Sequence, residues 1–259
     1  MSNTSYEYQY NYADDYNKSL YDIERREIKA RKVISILHDY LRDEQTCHMK
    51  LLDVGCSTGI QTGIISEHFG ETIGIDIDEN AVLFAQQNFQ NEKVRFLTAD
   101  NMNIPFEAEC FDLVICTHVY EHVPDPERLM REIYRVLKPE GICYFAAGNK
   151  YNMDIIEPHY RLAFLSWLPK SIANRYVRLA GKAKKYYENL YPLSKLRSLT
   201  SSFLTIDYTV KVLQNPEQFY ATDMIKNGTV KYKIALFASK YLYTFIPTYI
   251  WLLRKHECQ

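Results

Sequence analysis

The stretch Leu51-Leu52-Asp53-Val54-Gly55-Cys56-Ser57-Thr58-Gly59 decides the fold. A short apolar run predicts a buried strand, and a glycine-punctuated loop follows it and opens a helix. Glycines are needed where a ligand approaches the backbone too closely for a Cβ atom. The loop is GxxxG rather than the GxGxxG of dinucleotide-binding folds, and Ser57 replaces the second glycine. This spacing argues against a pyrophosphate ligand.

On both sides of this loop, apolar runs alternate with helical patterns. The runs between Lys50 and Gly148 are LLDVG, TIGID, VRFLTA, FDLVICT and ICYFAAG, and helical patterns cover 58–69, 79–90 and 126–137. This order is typical of βαβ units on a parallel sheet. Continuous apolar strands such as Leu113–Cys116 indicate burial on both faces. We therefore predict an α/β fold with a mostly parallel central sheet flanked by helices.

Four segments follow from this pattern. They are a tyrosine-rich segment with a cover helix (1–40), the α/β core (41–148), a basic aromatic insertion over the working edge of the sheet (149–190), and the end of the sheet with an apolar basic tail (191–259). A helix near 194–201 and a strand near 203–210 resume the α/β order. The tail from Ile234 to Leu253 is interrupted by Lys240 and Pro247, which disfavours a spanning helix and favours an interfacial or core-packed one.

Composition adds a charge asymmetry. The chain is 47% hydrophobic and 24% charged with net charge −1, which excludes disordered and collagen-like classes. Residues 1–159 carry 15 Lys and Arg against 27 Asp and Glu, a net −12, whereas 160–259 carry 16 against 5, a net +11. Either the second part faces an anionic partner, or the two parts attract each other.

Six cysteines lie outside any CxxC pair: Cys47, Cys56, Cys110, Cys116, Cys143 and Cys258. They predict reduced thiols. The polar, acidic N-terminal segment has no apolar core of a secretory signal, so we expect a cytoplasmic protein.

Carboxylates follow two further strands. Asp76 ends the second strand, where it could accept hydrogen bonds from both hydroxyls of a ribose. Asp100 follows the third strand and could accept from an adenine amino group, with Ile77 and Met102 clamping the ring. Three neighbouring strands thus direct nucleoside-compatible groups toward one crevice.

The motifs LLDVGCSTG, GIDID, TADNMNIPF and FDLVICTHVYEHVPDPERLMREIYRVLKPEG resemble, in order and spacing, those of class I S-adenosylmethionine-dependent methyltransferases. The type 11 group, which includes ubiquinone-biosynthesis O-methyltransferases, is the most similar, over about residues 40–148. The resemblance implies S-adenosylmethionine as cofactor. It places Asp53, Gly55, Cys56 and Gly59 beside its methionine and ribose, Asp76 at the ribose, Ile77, Asp100, Asn101 and Met102 at the adenine, and Thr117 and His118 under the sulfur.

The segment His118-Val119-Tyr120-Glu121-His122 lies where the reacting methyl group is expected. The matching segment of the quinone O-methyltransferases is Glu-x-x-Glu-His, which implies a divalent metal there, but His118 replaces the first Glu. His118, Glu121 and His122 could ligate a metal, or His118 could act as general base. Alternatively, Glu121 and His122 hold the loop by hydrogen bonds, and this is the interpretation we favour; if a hydroxyl acceptor requires a base, His118 is the candidate.

The insertion indicates the kind of acceptor. Trp167, Tyr176, Tyr186 and Tyr187 lie among lysines and arginines, as at an anionic membrane interface, and Tyr241, Tyr243, Tyr249 and Trp251 of the tail offer a second contact. A lid that closes on itself would have the same composition. No RNA-binding module is present, so we expect no nucleic-acid partner.

We therefore predict methyl transfer, at oxygen, to an amphipathic or lipid-linked acceptor such as a saccharide or quinone precursor. The alternatives are a small-molecule methyltransferase acting on an anionic metabolite and a non-catalytic cofactor-binding protein. The oligomeric state is not determined by the sequence.

Overall fold

The computed structural model describes residues 18–41, 46–157 and 159–255. The strands are β1 (Lys50–Val54), β2 (Glu71–Asp76), β3 (Val94–Thr98), β4 (Phe111–Thr117), β5 (Leu137–Gly148), β6 (Ile156–Glu157), β7 (Leu162–Ala163), β8 (Phe203–Asp207) and β9 (Thr248–Lys255). The helices are α1 (Ile23–Tyr40), α2 (Ile60–Ser66), α3 (Glu79–Phe89), α4 (Pro126–Val136), α5 (Lys170–Leu179), α6 (Leu193–Leu199), α7 (Thr209–Gln214) and α8 (Val230–Tyr241). The predictions on the tyrosines before Ser19 and on Cys258 lie outside the described residues.

Seven strands form one sheet in the order β3-β2-β1-β4-β5-β9-β8. The pairs among β1 to β5 are parallel, and β9 is antiparallel to both β5 and β8. The predicted α/β fold with a mostly parallel sheet is confirmed. The carboxyl ends of β1, β2 and β4 therefore meet at one edge.

Consecutive residues of the strands feed two apolar cores on opposite faces. Leu52 packs in a core with residues of α4 and α6, and Leu51 packs in a second core with residues of α1, α2 and α7. Both side chains are fully buried. Such strands read as continuous apolar runs because helices cover both faces of a parallel sheet.

Aspartates fix the starts of three helices. Asp22, Asp78 and Asp125 accept hydrogen bonds from the backbone N–H groups of Arg25, Ala81 and Arg128, respectively. Each bond satisfies a donor that the first helical turn leaves unpaired. The first of these caps places the N-terminal turn of α1 beside the working edge of the sheet.

The C-terminal tail differs from the expected apolar helix. Only its first half is helical, as α8, and the run after Pro247 is strand β9, hydrogen-bonded on both sides. Tyr249 and Trp251 are buried there and cannot contact a membrane, whereas Tyr241 is 61% exposed. A short run of β-branched and aromatic residues after a proline cannot be distinguished from a buried helix by periodicity alone.

The insertion forms its own small structure, a β6-β7 hairpin followed by α5. Its apolar core is built from Tyr160, Leu165, Ala173, Val177 and Tyr186. Tyr186 is therefore buried, while Trp167 is 38% exposed. Among the described residues, no helix is both long and apolar enough to cross a bilayer.

Candidate active site at the carboxyl edge of the sheet

A cavity of about 620 Å³ opens at the edge where β1, β2 and β4 end. Eleven of the thirteen predicted site residues line it: Asp53, Gly55, Cys56, Asp76, Ile77, Asp100, Asn101, Thr117, His118, Glu121 and His122. Gly59 and Met102 are not part of the lining. Met102 packs in the core beneath, and Gly59 packs against Ala85 and Phe96 at the start of α2.

The conformation of the glycine loop is fixed by its backbone. Gly55 has φ +78°, and a Cβ atom there would lie 2.5 Å from Val119 Cγ2. The N–H groups of Gly55 and Cys56 both donate to the carbonyl of Ile75. The loop therefore leans onto β2, and only glycine fits at its first position.

Two carboxylates stand at the strand ends, Asp53 buried and Asp76 half-buried. Asp53 accepts a hydrogen bond from the Thr62 hydroxyl, and burial, with a smaller contribution from the charge of Asp76, raises its pKa to about 6. Asp76 accepts from the N–H groups of Ser57 (2.8 Å) and Asp78 (2.9 Å), one on each oxygen. Burial raises its pKa as well. The two acids are thus fixed, facing the cavity.

The neighbouring polar groups have unused hydrogen-bonding capacity. The side-chain oxygens Asn101 Oδ1 and Thr117 Oγ1 are buried and have no partner within the described part of the chain. An unpaired buried polar atom costs about 1–3 kcal/mol, so such atoms in a cavity indicate a ligand that pairs with them. The Asp100 carboxylate is oriented by the Met102 N–H, at 2.8 Å.

Three cations of α1 that the sequence interpretation did not include also line the cavity: Arg25, Arg26 and Lys29. Burial and the adjacent charges of Arg26 and Arg25 lower the pKa of Lys29 to about 8. Their spacing of three and four residues places them near one another on the helix surface. In the sequence, this spacing is a signal that could have revealed a positively charged face of α1 beside its apolar face.

The segment after β4 holds a histidine and carboxylate pair. His118 adopts φ +56°, and its Nδ1 lies 3.1 Å from Glu121 Oε1. Glu121 is 2% exposed. Burial alone would raise its pKa, but the hydrogen bond with His118, together with the electrostatic influence of the two histidine rings, outweighs burial and lowers it. Its second oxygen, Oε2, has no partner among the described residues.

His122 is less exposed than His118. Burial lowers the pKa of His122 to about 4, so this imidazole is neutral at physiological pH. Its ring lies edge-on to that of His159, with ring centroids 5.9 Å apart. His122 thus separates the strand ends from the insertion.

The β6-β7 hairpin supplies the opposite wall of the cavity. Glu157 accepts from the Tyr160 N–H, and its other oxygen lies 2.6 Å from His159 Nδ1. Burial opposes charge on His159, yet the hydrogen bond and nearby carboxylates, Glu157 among them, raise its pKa to about 9. Asn152 Oδ1 of this wall is buried without a partner among the described residues. The insertion therefore lines the cavity with polar groups that the sequence did not single out.

Within residues 18–41, 46–157 and 159–255, no group of three or more His, Cys, Asp or Glu side chains is arranged to hold a metal ion. The contact between His118 and Glu121 is a hydrogen bond, consistent with a loop held by its own polar groups.

Comparison with known proteins identifies several similar chains. A family model described as a methyltransferase domain matches residues 52–145. The ubiquinone biosynthesis O-methyltransferase of Pseudomonas entomophila (strain L48) is 30% identical over 183 residues, which cover 64% of this chain and 78% of that protein. That of Coxiella burnetii (strain RSA 493 / Nine Mile phase I) is 29% identical over 121 residues, covering 43% and 49% of the two chains.

Solved structures share the fold. The CurJ carbon methyltransferase aligns with a TM-score of 0.56 at 16% identity, covering 89% of this chain and 54% of that one. The [4+2]-cyclase SpnF aligns with a TM-score of 0.53 at 20% identity, covering 88% and 81%. A phospholethanolamine N-methyltransferase 2 of Haemonchus contortus, solved with S-adenosylhomocysteine, aligns with a TM-score of 0.51 at 20% identity, covering 86% and 52%. At these identities the likeness concerns the fold alone.

Proposed function

The chain belongs to the class I S-adenosylmethionine-dependent methyltransferases, and from this premise we propose that it methylates a hydroxyl oxygen of an amphipathic, lipid-linked acceptor. The observation that carries the proposal is the His118–Glu121 pair at the end of β4, because a hydroxyl acceptor needs a base. Similarity to relatives named as O-methyltransferases supports transfer to oxygen.

The cavity has groups that match each part of S-adenosylmethionine. Asp76 has remaining acceptor capacity for a ribose diol, and Asn101 Oδ1 and Asp100 can accept from an adenine amino group. Arg26 and Lys29 offer positive charge to a carboxylate. The cofactor supplies an activated methyl group on its sulfonium, so the protein mainly has to bind, align and deprotonate.

His118 is the base in this proposal, and Glu121 positions it. When His118 Nδ1–H donates to Glu121, the lone pair on Nε2 is left to take a proton from the acceptor hydroxyl. The ionised carboxylate of Glu121, buried beside the ring, then stabilises the imidazolium that forms. His122 is a weaker base because burial keeps its pKa near 4.

The acceptor is held by the insertion. Its wall presents Asn152 Oδ1 and Glu157, both acceptors of hydrogen bonds, which suits an acceptor with several hydroxyl groups such as a saccharide or quinone precursor. One observation favours a second candidate, an anionic water-soluble metabolite. Arg161 lines the cavity, and its guanidinium makes no ion pair or hydrogen bond recorded among the described residues.

The test is methyl transfer from labelled S-adenosylmethionine into a total host extract, followed by partition between organic and aqueous phases. We expect label in the organic phase. Label only in the aqueous phase would replace the lipid-linked acceptor with the anionic metabolite. No transfer by a protein that binds the cofactor in calorimetry would favour a non-catalytic role.

The base is tested by His118→Asn, since asparagine also tolerates the left-handed backbone at this position. We expect kcat to fall by about 10²–10⁴-fold, with the cofactor Kd changed less than about threefold. His68→Gln, at an exposed histidine on another part of the surface, is the matched control. Unchanged kcat in His118→Asn would show that His118 is not the base.

A further inference from the structure

Helix α8 exposes an apolar stripe that nothing in the described structure covers. Val230, Ile234, Phe237 and Tyr241 are 74%, 57%, 58% and 61% exposed. Their spacing of four, three and four residues places them on one face of the helix. The opposite side of the helix is anchored, since Ser239 is buried there. At about 1.5 Å per residue, the stripe is about 16 Å long.

The charged residues of the chain segment that carries this stripe have one sign. Residues 224–248 contain four lysines, Lys226, Lys231, Lys233 and Lys240, and no Asp or Glu. A helix face of exposed Ile and Phe flanked by lysines is typical of helices that lie in a membrane interface. Protein surfaces that pair with other proteins usually deplete lysine at such a patch. The charge pattern therefore favours an anionic bilayer.

Exposed aromatic side chains of the insertion lie beside the turn that follows α8. Phe245, which follows α8 in a short 3-10 turn, stacks on Trp167 with ring centroids 6.0 Å apart and planes 8° apart. Trp167 packs in turn against Phe164, which is 51% exposed. The insertion is also wholly basic here, because residues 159–187 contain seven Lys and Arg and no Asp or Glu. We define the docking patch as Phe164, Trp167, Val230, Ile234, Phe237 and Tyr241.

The docking patch adjoins the cavity along both chain segments. Pro247 and Thr248, just after Phe245, line the cavity, as does Arg161, three residues before Phe164. Asn149, another lining residue, ties the two segments together through Nδ2, which donates to the carbonyls of Thr244 and Ile246. The two chain segments that carry the patch therefore also carry residues of the cavity wall.

We propose that the docking patch inserts into the headgroup layer of an anionic bilayer and presents the cavity to acceptors held in that bilayer. Aromatic rings settle at headgroup depth, and the flanking lysines attract anionic lipids. The purpose of this contact rests on the proposed lipid-linked acceptor, but the contact itself does not require the cofactor or the acceptor.

The test is flotation of the cofactor-free full chain with vesicles of phosphatidylcholine containing about 30 mol% phosphatidylglycerol. We expect the protein to float with these vesicles, much less with pure phosphatidylcholine, and less at high salt. Ile234→Ser/Phe237→Ser should weaken binding at least about tenfold. Because these side chains are exposed, the variant should keep the thermal midpoint and the cofactor affinity of the parent.

Leu83→Ser is the matched control. Leu83 is 52% exposed on α3, which packs on β2 and β3 at the opposite edge of the sheet from β9. This control should bind vesicles like the parent. Absence of binding by the parent, or equal binding by the parent and the double variant, would overturn the proposal. A dimer that the double variant abolishes, without vesicle binding, would assign the patch to a second copy of the chain instead. Because no turnover is measured, these outcomes are independent of the acceptor chemistry.

Discussion

Replacing Gly59 by alanine should destabilise the protein by much more than the same change at another left-handed glycine. Gly59 has φ +71°, and an added Cβ would lie 2.5 Å from Ala85 Cβ and 2.7 Å from the ring of Phe96. The left-handed backbone costs about 1–2 kcal/mol for a residue with a Cβ. Overpacking against two buried groups costs about 1–3 kcal/mol more. We expect the free energy of unfolding to fall by about 2–5 kcal/mol.

Gly181→Ala isolates the backbone contribution. Gly181 has φ +64°, and an added Cβ would meet nothing within 4 Å. Urea titrations of the cofactor-free protein should show a loss of about 1–2 kcal/mol for this variant. Equal losses for the two variants would refute the packing argument. Gly59 does not line the cavity, so the cofactor Kd of folded Gly59→Ala should stay within about threefold of the parent value. A larger change in Kd would show that Gly59 contributes to cofactor binding.

Two further predictions concern pH. The folded-state pKa of His159, about 9, exceeds its ordinary 6.5, so its pair with Glu157 stabilises fully below about pH 6.5, and this contribution is lost as pH rises through about 9. The His159 side chain is 32% exposed, so solvent screens the pair and its contribution to the free energy of unfolding is about 2 kcal/mol. In urea titrations, His159→Gln should make the free energy of unfolding less dependent on pH between about 6.5 and about 9. An unchanged pH dependence in this variant would contradict the prediction. Asp53 has a folded pKa of about 6 against an ordinary 3.8, so folding favours its protonated form and stability should fall by about 2–3 kcal/mol as pH rises from about 4 to about 6. Asp53→Asn should remove this loss yet weaken cofactor binding in calorimetry, and a variant that gains no stability at pH 8 would show that Asp53 is not destabilising.

The core of the fold could be predicted because each parallel strand is short, apolar and bounded by a polar residue at the working edge. Asp53 and Asp76 end β1 and β2, and the sheet brings such residues together whatever the helices between them do. This is why most of the cofactor-binding candidates line one cavity.

The remaining parts of the site depend on tertiary contacts that the sequence does not encode locally. Arg26 and Lys29 reach the cavity because α1 crosses the working edge, which no periodicity specifies. Glu157 and His159 lie in a hairpin of two-residue strands, too short for a recognisable alternation. The tail reads as one apolar helix because its two apolar runs look alike in sequence. The structure shows that the run before Pro247 contains α8 and that the run after it is β9.

The position of β9 has a consequence for how the chain folds during synthesis. Of the described strands, Thr248–Lys255 comes last in chain order, yet it lies between β5 and β8. Until a ribosome releases these residues, β5 has a free edge and β8 has no partner in the sheet. Unpaired strand edges are sites of aggregation. A nascent chain that ends shortly before Thr248 would therefore have an almost complete cofactor-binding core beside two strands that still lack a partner. We expect chaperones to bind the nascent chain at that stage.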